Sequence, residues 1–510
     1  VLPRAISGRS FAIALAAFGY LSSPRAHAAP VGAVPAQPAD DQAEEDSADS
    51  GEDISTSDAH RVLRLQRIEI VGTEQVGSYR VRAWVESEGI EVPGEIFWPE
   101  DERIERARDR VRNTGFFRRV NFRVEPVEGS LDEVVLRIEL EERPTLNVDQ
   151  LYLGSSRLTP FRGGFSVAER NFLGRGVQLG GAMLWATRPT IERARRQQAY
   201  RVFAEAPRLG KAKLGVLASA WFLSASEPYR VAGAENDPDP DLFRTVDYQR
   251  FGGMFGLTFP VLPELVLGVD YRFERVDARL PESPVRITTD SEMVDVDLFL
   301  RDDLHRLTTA HFGLVWDGRD EAFLVGKGGR FGLDLQLSSP ALGSQYEYIK
   351  LVAAGAYSLR LPWRHWLTPK VSGGQIAGRA PRFELFYSGD LSDWTPGREQ
   401  GLRYSTRNPI DVFGTGIDDR TFGIIFGRFD LEYVWPLFRR TRTRRIYGGD
   451  LVFSTGVFTL VEDRATRDMR RAMGQSVAPA GFNADLGVRL DTSIGTLNIT
   501  VGNVLRRTPL

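Results

Sequence analysis

Between Leu65 and Arg143 the apolar positions change period from element to element. The run Leu65-Gln66-Arg67-Ile68-Glu69-Ile70-Val71-Gly72 is apolar at alternate positions Ile68 and Ile70, which predicts a short strand. From Ser78 to Glu88, Val81, Trp84 and Val85 share one helical face, and Gly89 suits a left-handed stop. A second helix is predicted from Pro99, a residue suited to the first helical position. Glu100, Asp101 and Glu102 in its first turn, and Arg108, Arg110 and Arg112 near its end, match the helix dipole. Its buried stripe is Ile104, Ala107 and Val111. Beyond Gly115-Phe116-Phe117-Arg118-Arg119-Val120, two alternating strands carry Val120, Phe122 and Val124, then Val134, Leu136, Ile138 and Leu140. The order is βααββ, an α+β unit of about eighty residues, enough for one small core.

From Asn147 onward the pattern becomes segments of roughly ten residues, apolar at every second position and separated by turns. Leu265, Leu267, Val269, Tyr271 and Phe273 alternate with Val266, Gly268, Asp270, Arg272 and Glu274. The same alternation runs through Phe331 to Leu337, Phe429 to Trp435 and Leu497 to Val501. The second faces carry charges of both signs, and some segments end in aromatic pairs such as Trp363 and Trp366. A soluble sandwich alternates too. Lipid on the apolar side and a wet lumen on the charged side is the more economical solution, because closure satisfies every backbone group and removes edge strands.

Composition narrows the class. Among 510 residues the formal net charge is −3, which gives no broad case for a nucleic-acid partner. There is no cysteine, so disulfides, thiol catalysis and cysteine metal sites are excluded. The five histidines, His27, His60, His305, His311 and His365, show no metal-ligand spacing; no metal or cofactor is expected. Arg4 and Arg9 precede the apolar run Phe11 to Leu21, and Ala26-His27-Ala28 supplies a small-x-small cleavage site, so 1–28 reads as a signal peptide. Residues 29–61, rich in Ala, Pro, Asp, Glu and Ser, read as a disordered acidic linker. The remaining division is 62–144 for the α+β unit and 145–510 for the barrel.

The α+β unit resembles a POTRA domain, the periplasmic module of outer-membrane assembly and secretion barrels. The resemblance rests on Ile68-x-Ile70-x-Gly72, Gly115-Phe116-Phe117-x-x-Val120 and Leu136-x-Ile138-x-Leu140-x-Glu142-x-Pro144. The barrel is similar to the BamA/TamA-type outer-membrane assembly factors. That similarity rests on Glu169-Arg170-Asn171-Phe172-Leu173-Gly174-Arg175-Gly176, on Trp316-Asp317-Gly318-Arg319-Asp320 with Lys327-Gly328-Gly329, and on Gly487-Val488-Arg489-Leu490-Asp491-Thr492-Ser493-Ile494-Gly495. It implies sixteen antiparallel strands in the outer membrane of a Gram-negative bacterium, with the POTRA domain in the periplasm. The segment count fits awkwardly. If Glu292 to Arg301 extends an extracellular hairpin, the strands up to Leu510 number one short.

The family's long extracellular loop folds into the barrel, its tip arginine meeting an acidic residue of the wall. Here the loop runs from about Gly378 to Asp419; Gly389 and Gly397 keep their places, Pro396 stands where the arginine would be, and Arg398 follows. The wall motif reads Phe453-Ser454-Thr455-Gly456, without its acid. Since a buried guanidinium needs a counter-charge, Arg398 is expected either to pair with lumen-facing Asp430 or Glu432 or to be solvated in the loop.

The resemblance implies insertion or folding of outer-membrane proteins without nucleotide hydrolysis. Partners would be the outer-membrane bilayer, unfolded outer-membrane or secreted clients, and periplasmic or lipoprotein accessory factors. The expected client-binding edge of the POTRA unit is Val120 to Val127, with Val120, Phe122 and Val124, since an exposed edge can add a strand by backbone pairing. A weakly closed seam between the first strand (Val148 to Gly154) and the last (Thr496 to Val504) is a second template. The alternatives are a two-partner-secretion transporter and a passive pore. No Gly-x-Ser-x-Gly elbow is present, and no catalytic residue is assigned. The run Arg439-Arg440-Thr441-Arg442-Thr443-Arg444-Arg445 reads as a periplasmic turn, either solvated or set against the acidic linker or anionic headgroups.

Overall fold

The structure, a computed structural model, describes residues 61–508 apart from short breaks, the longest at 207–213, 320–326, 405–421, 440–445 and 468–477. The signal segment, the acidic linker, Pro396 and most of the basic run lie outside the described residues.

The first unit runs β1 (Arg61–Val71), α1 (Ser78–Glu86), β2 (Gly94–Trp98), α2 (Glu102–Asn113), β3 (Phe117–Pro126) and β4 (Glu133–Glu142). Its sheet has the order β2-β1-β4-β3, with β1 and β4 parallel and the outer pairs antiparallel. Both helices contribute to one core, in which Val81, Val85, Ala107 and Val111 meet Leu65, Ile96, Leu136 and Ile138. Gly89 (φ +85°) terminates α1 as expected, and Gly72 (φ +89°) lies so close to Leu140 that a β-carbon would collide with its carbonyl oxygen. The sheet's other face is wet and carries Arg67–Glu69 and Arg137–Glu125 pairs. Such exposed pairs contribute little, about 0–1 kcal/mol each.

Two features depart from the expected βααββ order. A short strand, β2, precedes α2; only five residues long, it shows too little alternation to be seen. The second helix starts at Glu102 rather than Pro99, because the Asp101 carboxylate accepts the backbone N–H of Arg103 at 3.0 Å and so acts as its cap.

The wall begins with β5 (Leu146–Gly154), β6 (Arg162–Phe172), β7 (Val177–Ala186), β8 (Gln197–Ala206), β9 (Gly215–Arg230), β10 (Phe243–Leu262) and β11 (Leu265–Arg279). A small hairpin, β12 (Val285–Ile287) and β13 (Met293–Asp295), stands outside it. The wall resumes with β14 (Asp303–Asp317), β15 (Gly328–Ser338), β16 (Glu347–Arg360) and β17 (Trp366–Arg379). Short pieces in the long loop follow: β18 (Phe386–Tyr387), β19 (Arg398–Glu399), β20 (Leu402–Arg403) and β21 (Phe422–Gly423). The last wall strands are β22 (Ile425–Arg439), β23 (Ile446–Val461), β24 (Ala480–Thr492) and β25 (Gly495–Thr508).

These strands form one 15-stranded antiparallel sheet in chain order. Sixteen were expected; 292–301 supplies only β13, which pairs with β12, so that segment does extend a hairpin. Alternation places the two faces as the sequence pattern requires. Along β11, Leu267, Val269, Tyr271 and Phe273 are exposed outward while Asp270 and Glu274 are buried inside. Among the described residues no helix is long and apolar enough to cross a membrane. The crossing is made by strands.

Candidate functional site

The described part of the loop between β17 and β22 lies inside the barrel, against the inner face of the wall. Arg382 Nε donates to Glu227 Oε2 of β9 at 3.2 Å, and both residues are buried. Glu384 accepts from Arg272 of β11 at 2.8 Å, and Lys350 of β16 donates to the Glu384 carbonyl at 2.7 Å. Arg250 of β10 donates to Glu274 Oε1 at 2.8 Å and lies 3.8 Å over the ring of Phe383. Arg403, fully buried, donates to the carbonyls of Arg382 and Leu385 at 2.8 and 3.2 Å. Burial works to raise the Glu384 carboxyl, but Arg272 and Lys350 beside it outweigh that and hold it well below the usual carboxylate range. Arg403 shows the opposite balance; burial, with Arg398 adding repulsion, pushes it down to about 10.

Apolar side chains are interleaved with these charges. Phe383, Leu385, Phe386, Leu402 and Tyr404 of the loop pack with Leu298 and Leu300 of the β11–β14 connection and with Tyr348 of β16. Loop and connection leave the barrel at the end opposite the POTRA unit.

The loop tip departs from the expected pairing. Gly389 and Gly397 do meet, the Gly397 N–H donating to the Gly389 carbonyl at 2.9 Å with no room for a β-carbon between them. Arg398, however, pairs with Asp390 inside the tip, and not with Asp430 or Glu432. Asp430 lies 2.6 Å from Arg428, and Glu432 accepts from Lys370 at 2.7 Å and from the Trp394 indole at 2.9 Å. The local pair wins because Asp390 is a few residues away and already inside. The acid missing from Phe453–Gly456 is supplied from the next strand, where Asp430 projects over Gly456 in the space a side chain would take. The polarity is also reversed, for the wall arginine Arg428 reaches the loop acid Asp393 at 3.0 Å.

In the POTRA unit two strands are edges, β2 and β3. On β2 the protein caps its own edge. Asp101 accepts the N–H of Phe97 at 3.1 Å, and Arg103 donates to the carbonyl of Glu95 at 2.6 Å while bound to Asp101. Burial would raise the Asp101 carboxyl, but the hydrogen bonds from Arg103 and from the Phe97 and Arg103 backbone hold it below its usual value. The edge expected from the sequence, β3, is the other margin of this sheet. Val120, Phe122 and Val124 turn inward and pack half-buried against the core, so the strand's backbone rather than these side chains is what an added strand would meet.

The POTRA unit also grips the barrel's first turn. The Glu142 carboxylate accepts the successive N–H groups of Glu74, Gln75 and Val76 at 3.0, 2.8 and 2.8 Å. The Gln75 carbonyl so positioned accepts from Asn171 Nδ2 at 3.0 Å, and Asn171 Oδ1 accepts the N–H of Gly176 at 2.7 Å. The quoted turn motif 169–176 is thus the docking point. The mid-barrel motif also closes on itself: the Gly318 N–H donates to the Gly329 carbonyl at 2.9 Å, and Asp317 pairs with Arg319 at 2.6 Å.

Strands β5 and β25 are the two ends of the sheet and lie against each other, but no ladder joins them among the described residues. Every step from β5 to β25 is antiparallel, and with fifteen strands the two ends run in the same direction. Neither the seam nor the POTRA edge needs a metal, and among the described residues no group of His, Asp and Glu side chains could hold one.

A periplasmic-type module docked to an antiparallel barrel, lipid-facing outside and with its own loop inside, defines an outer-membrane assembly or transport barrel. The chain belongs to the Omp85 superfamily: residues 162–508 match the Omp85 superfamily domain. These are outer-membrane β-barrels of Gram-negative bacteria that take part in protein assembly and translocation. No curated protein matches. Among solved structures, CdiB from Escherichia coli is similar at 11% identity and a TM-score of 0.51, over 90% of this chain and 89% of that one. CdiB from Acinetobacter baumannii is similar at 10% identity and a TM-score of 0.50, over 88% and 71%. BamA from Haemophilus ducreyi lacking POTRA domains 1–3 has 14% identity and a TM-score of 0.48, over 87% and 84%. At these identities the likeness concerns the fold alone.

Proposed function

We propose that this protein assists the insertion and assembly of outer-membrane proteins without nucleotide hydrolysis, offering clients a strand template at β3 and another at the β5/β25 seam. The observation that carries this reading is the contrast between a lumen occupied by its own loop and unladdered strand margins. A client held by backbone hydrogen bonds adds at a sheet margin and needs little sequence complementarity. The domain limits 62–144 and 145–510 are part of this reading.

The transporter reading requires an exported chain to displace the loop and break Arg382–Glu227 and Glu384–Arg272. The passive-pore reading requires the loop residues packed in the barrel's apolar cluster to move aside. Depletion in the host, followed by quantification of the outer-membrane proteome and the culture medium, separates the three. Assembly predicts a fall in one or many barrel proteins. Loss of one secreted protein with barrels intact would replace it with transport, and a change confined to small-solute uptake would replace it with the pore.

A further inference from the structure

The loop tip touches the wall on both sides of the seam. On one side Arg162, the first residue of β6, donates from Nε to Glu399 Oε2 at 3.1 Å. Its guanidinium lies over Gly154, the last residue of β5, where a β-carbon would stand 2.7 Å from Cζ. On the other side Ser392 Oγ donates at 2.5 Å to Asp485 Oδ2 of β24, opposite Gly502 of β25. Arg162 and Glu399 retain only 12% and 11% of their side-chain exposure, and Ser392 and Asp485 are buried.

We infer that the loop tip is an internal strap across the seam, with one arm on the β5/β6 hairpin and the other on the β24/β25 hairpin. Each hairpin moves as a ladder, so holding β6 and β24 holds β5 and β25. The arms belong to one closed body. The Gly397–Gly389 hydrogen bond, the Tyr404 N–H to Gly397 carbonyl bond at 2.8 Å and the Arg398–Asp390 pair tie the tip together between and around them. This explains why Arg398 is spent on Asp390; it stiffens the strap instead of anchoring it. The two arms differ in chemistry. The Arg162–Glu399 arm is a buried ion pair, and losing one partner strands a buried charge. The Ser392–Asp485 arm includes a charge-assisted hydrogen bond. Separation of the seam therefore requires the tip to release at least one wall contact, which couples the state of the lumen loop to the lateral edge.

The inference rests on the seam as a template, but its test reads seam geometry and not client assembly, so each can fail without the other. The chain has no cysteine, so Leu153→Cys on β5 and Val501→Cys on β25, both facing outward, can carry two spin labels in the full-length protein in lipid nanodiscs. Inter-label distances are compared for the parent, Arg162→Ala, Ser392→Ala, and Asp297→Ala, which removes an exposed loop pair with Arg379 away from the seam. We expect Arg162→Ala to raise the separated population at least about tenfold, equivalent to about 1.4 kcal/mol. Ser392→Ala should raise it less, and Asp297→Ala should leave it unchanged. Exchange of charges in Arg162→Glu with Glu399→Arg should restore the parent distribution. Unchanged distances in both Arg162→Ala and Ser392→Ala, with the barrel folded by gel mobility, would overturn the strap. Should Arg162→Ala fail to fold, Ser392→Ala, which removes one hydroxyl, decides alone.

Discussion

The POTRA-like unit and the barrel solve the burial problem in opposite ways. In the first, apolar side chains of two helices and one sheet face meet in a dry core, and charges stay on the wet face as weak pairs. In the second, apolar side chains also face outward, and the interior holds arginines, lysines and carboxylates at low exposure beside its apolar cluster. A dry core is tolerant, because any neighbour of about the right volume contributes. A buried ionic interior is not, because each charge needs its particular partner. The described part of the lumen loop is held by particular ion pairs as well as by apolar packing, while the POTRA core is held by volume. The two regions should therefore fail differently.

The largest effect expected is in the lumen. Arg382→Ala leaves Glu227 buried without its guanidinium and should cost about 3–5 kcal/mol of loop docking. Protease cleavage within the loop, slow in the parent, should become fast. A milder loss in Arg382→Met with Glu227→Gln would confirm that charge, not shape, is the fault.

In the POTRA core Ile138→Ala, at a fully buried site, should cost about 2–5 kcal/mol. Denaturant unfolding of the full chain should show the POTRA transition moving while the barrel's gel mobility shift stays put. Equal movement of both would mean the two units unfold together and would remove the contrast.

Acid should tell the regions apart as well. Glu384 is held below its ordinary value in the docked loop, so its contribution is fully present above the ordinary carboxylate pKa, about 4.3, and is lost as pH falls through the lower docked value. The part of loop protection that Glu384 supplies, read as the difference between parent and Glu384→Gln, should thus be flat from neutral pH down to about 5 and decline only in stronger acid. Glu384→Gln should lower protection at neutral pH.

The smallest effect concerns the join between the regions. Asn171→Ala removes the hydrogen bond to Gln75 and the one from the Gly176 N–H, and should cost about 1–2 kcal/mol. Hydrogen exchange at residues 74–76 should accelerate while β4 is unchanged. Acceleration in β4 as well would show that the barrel stabilises the POTRA fold and does not merely orient it.

Much of this was legible along the chain. Val81, Val85, Ala107 and Val111 declared their burial by helical spacing, and Leu267, Val269, Tyr271 and Phe273 declared their shared outward face by alternation. The turn motifs at 169–176 and 316–329 marked places where the backbone needs left-handed or crowded geometry, as at Gly174 (φ +68°) and Gly328 (φ +129°). One missed feature left a signal: Asp101, an acidic residue just before an apolar-periodic run, is a recognisable helix cap, although its second task of covering the β2 edge is not. The partners of Arg398, Asp430 and Glu432 left none.

What the sequence by itself determined is the succession of elements and the side of each that meets apolar surroundings, because both follow from local periodicity. Only the tertiary structure decided which charges meet inside. Arg162 and Glu399, or Ser392 and Asp485, are distant in the chain, and nothing in their neighbours distinguishes them from solvated residues. An ion pair in a lumen is selected by where a loop many residues long comes to rest, and that resting place is set by all the buried charges at once.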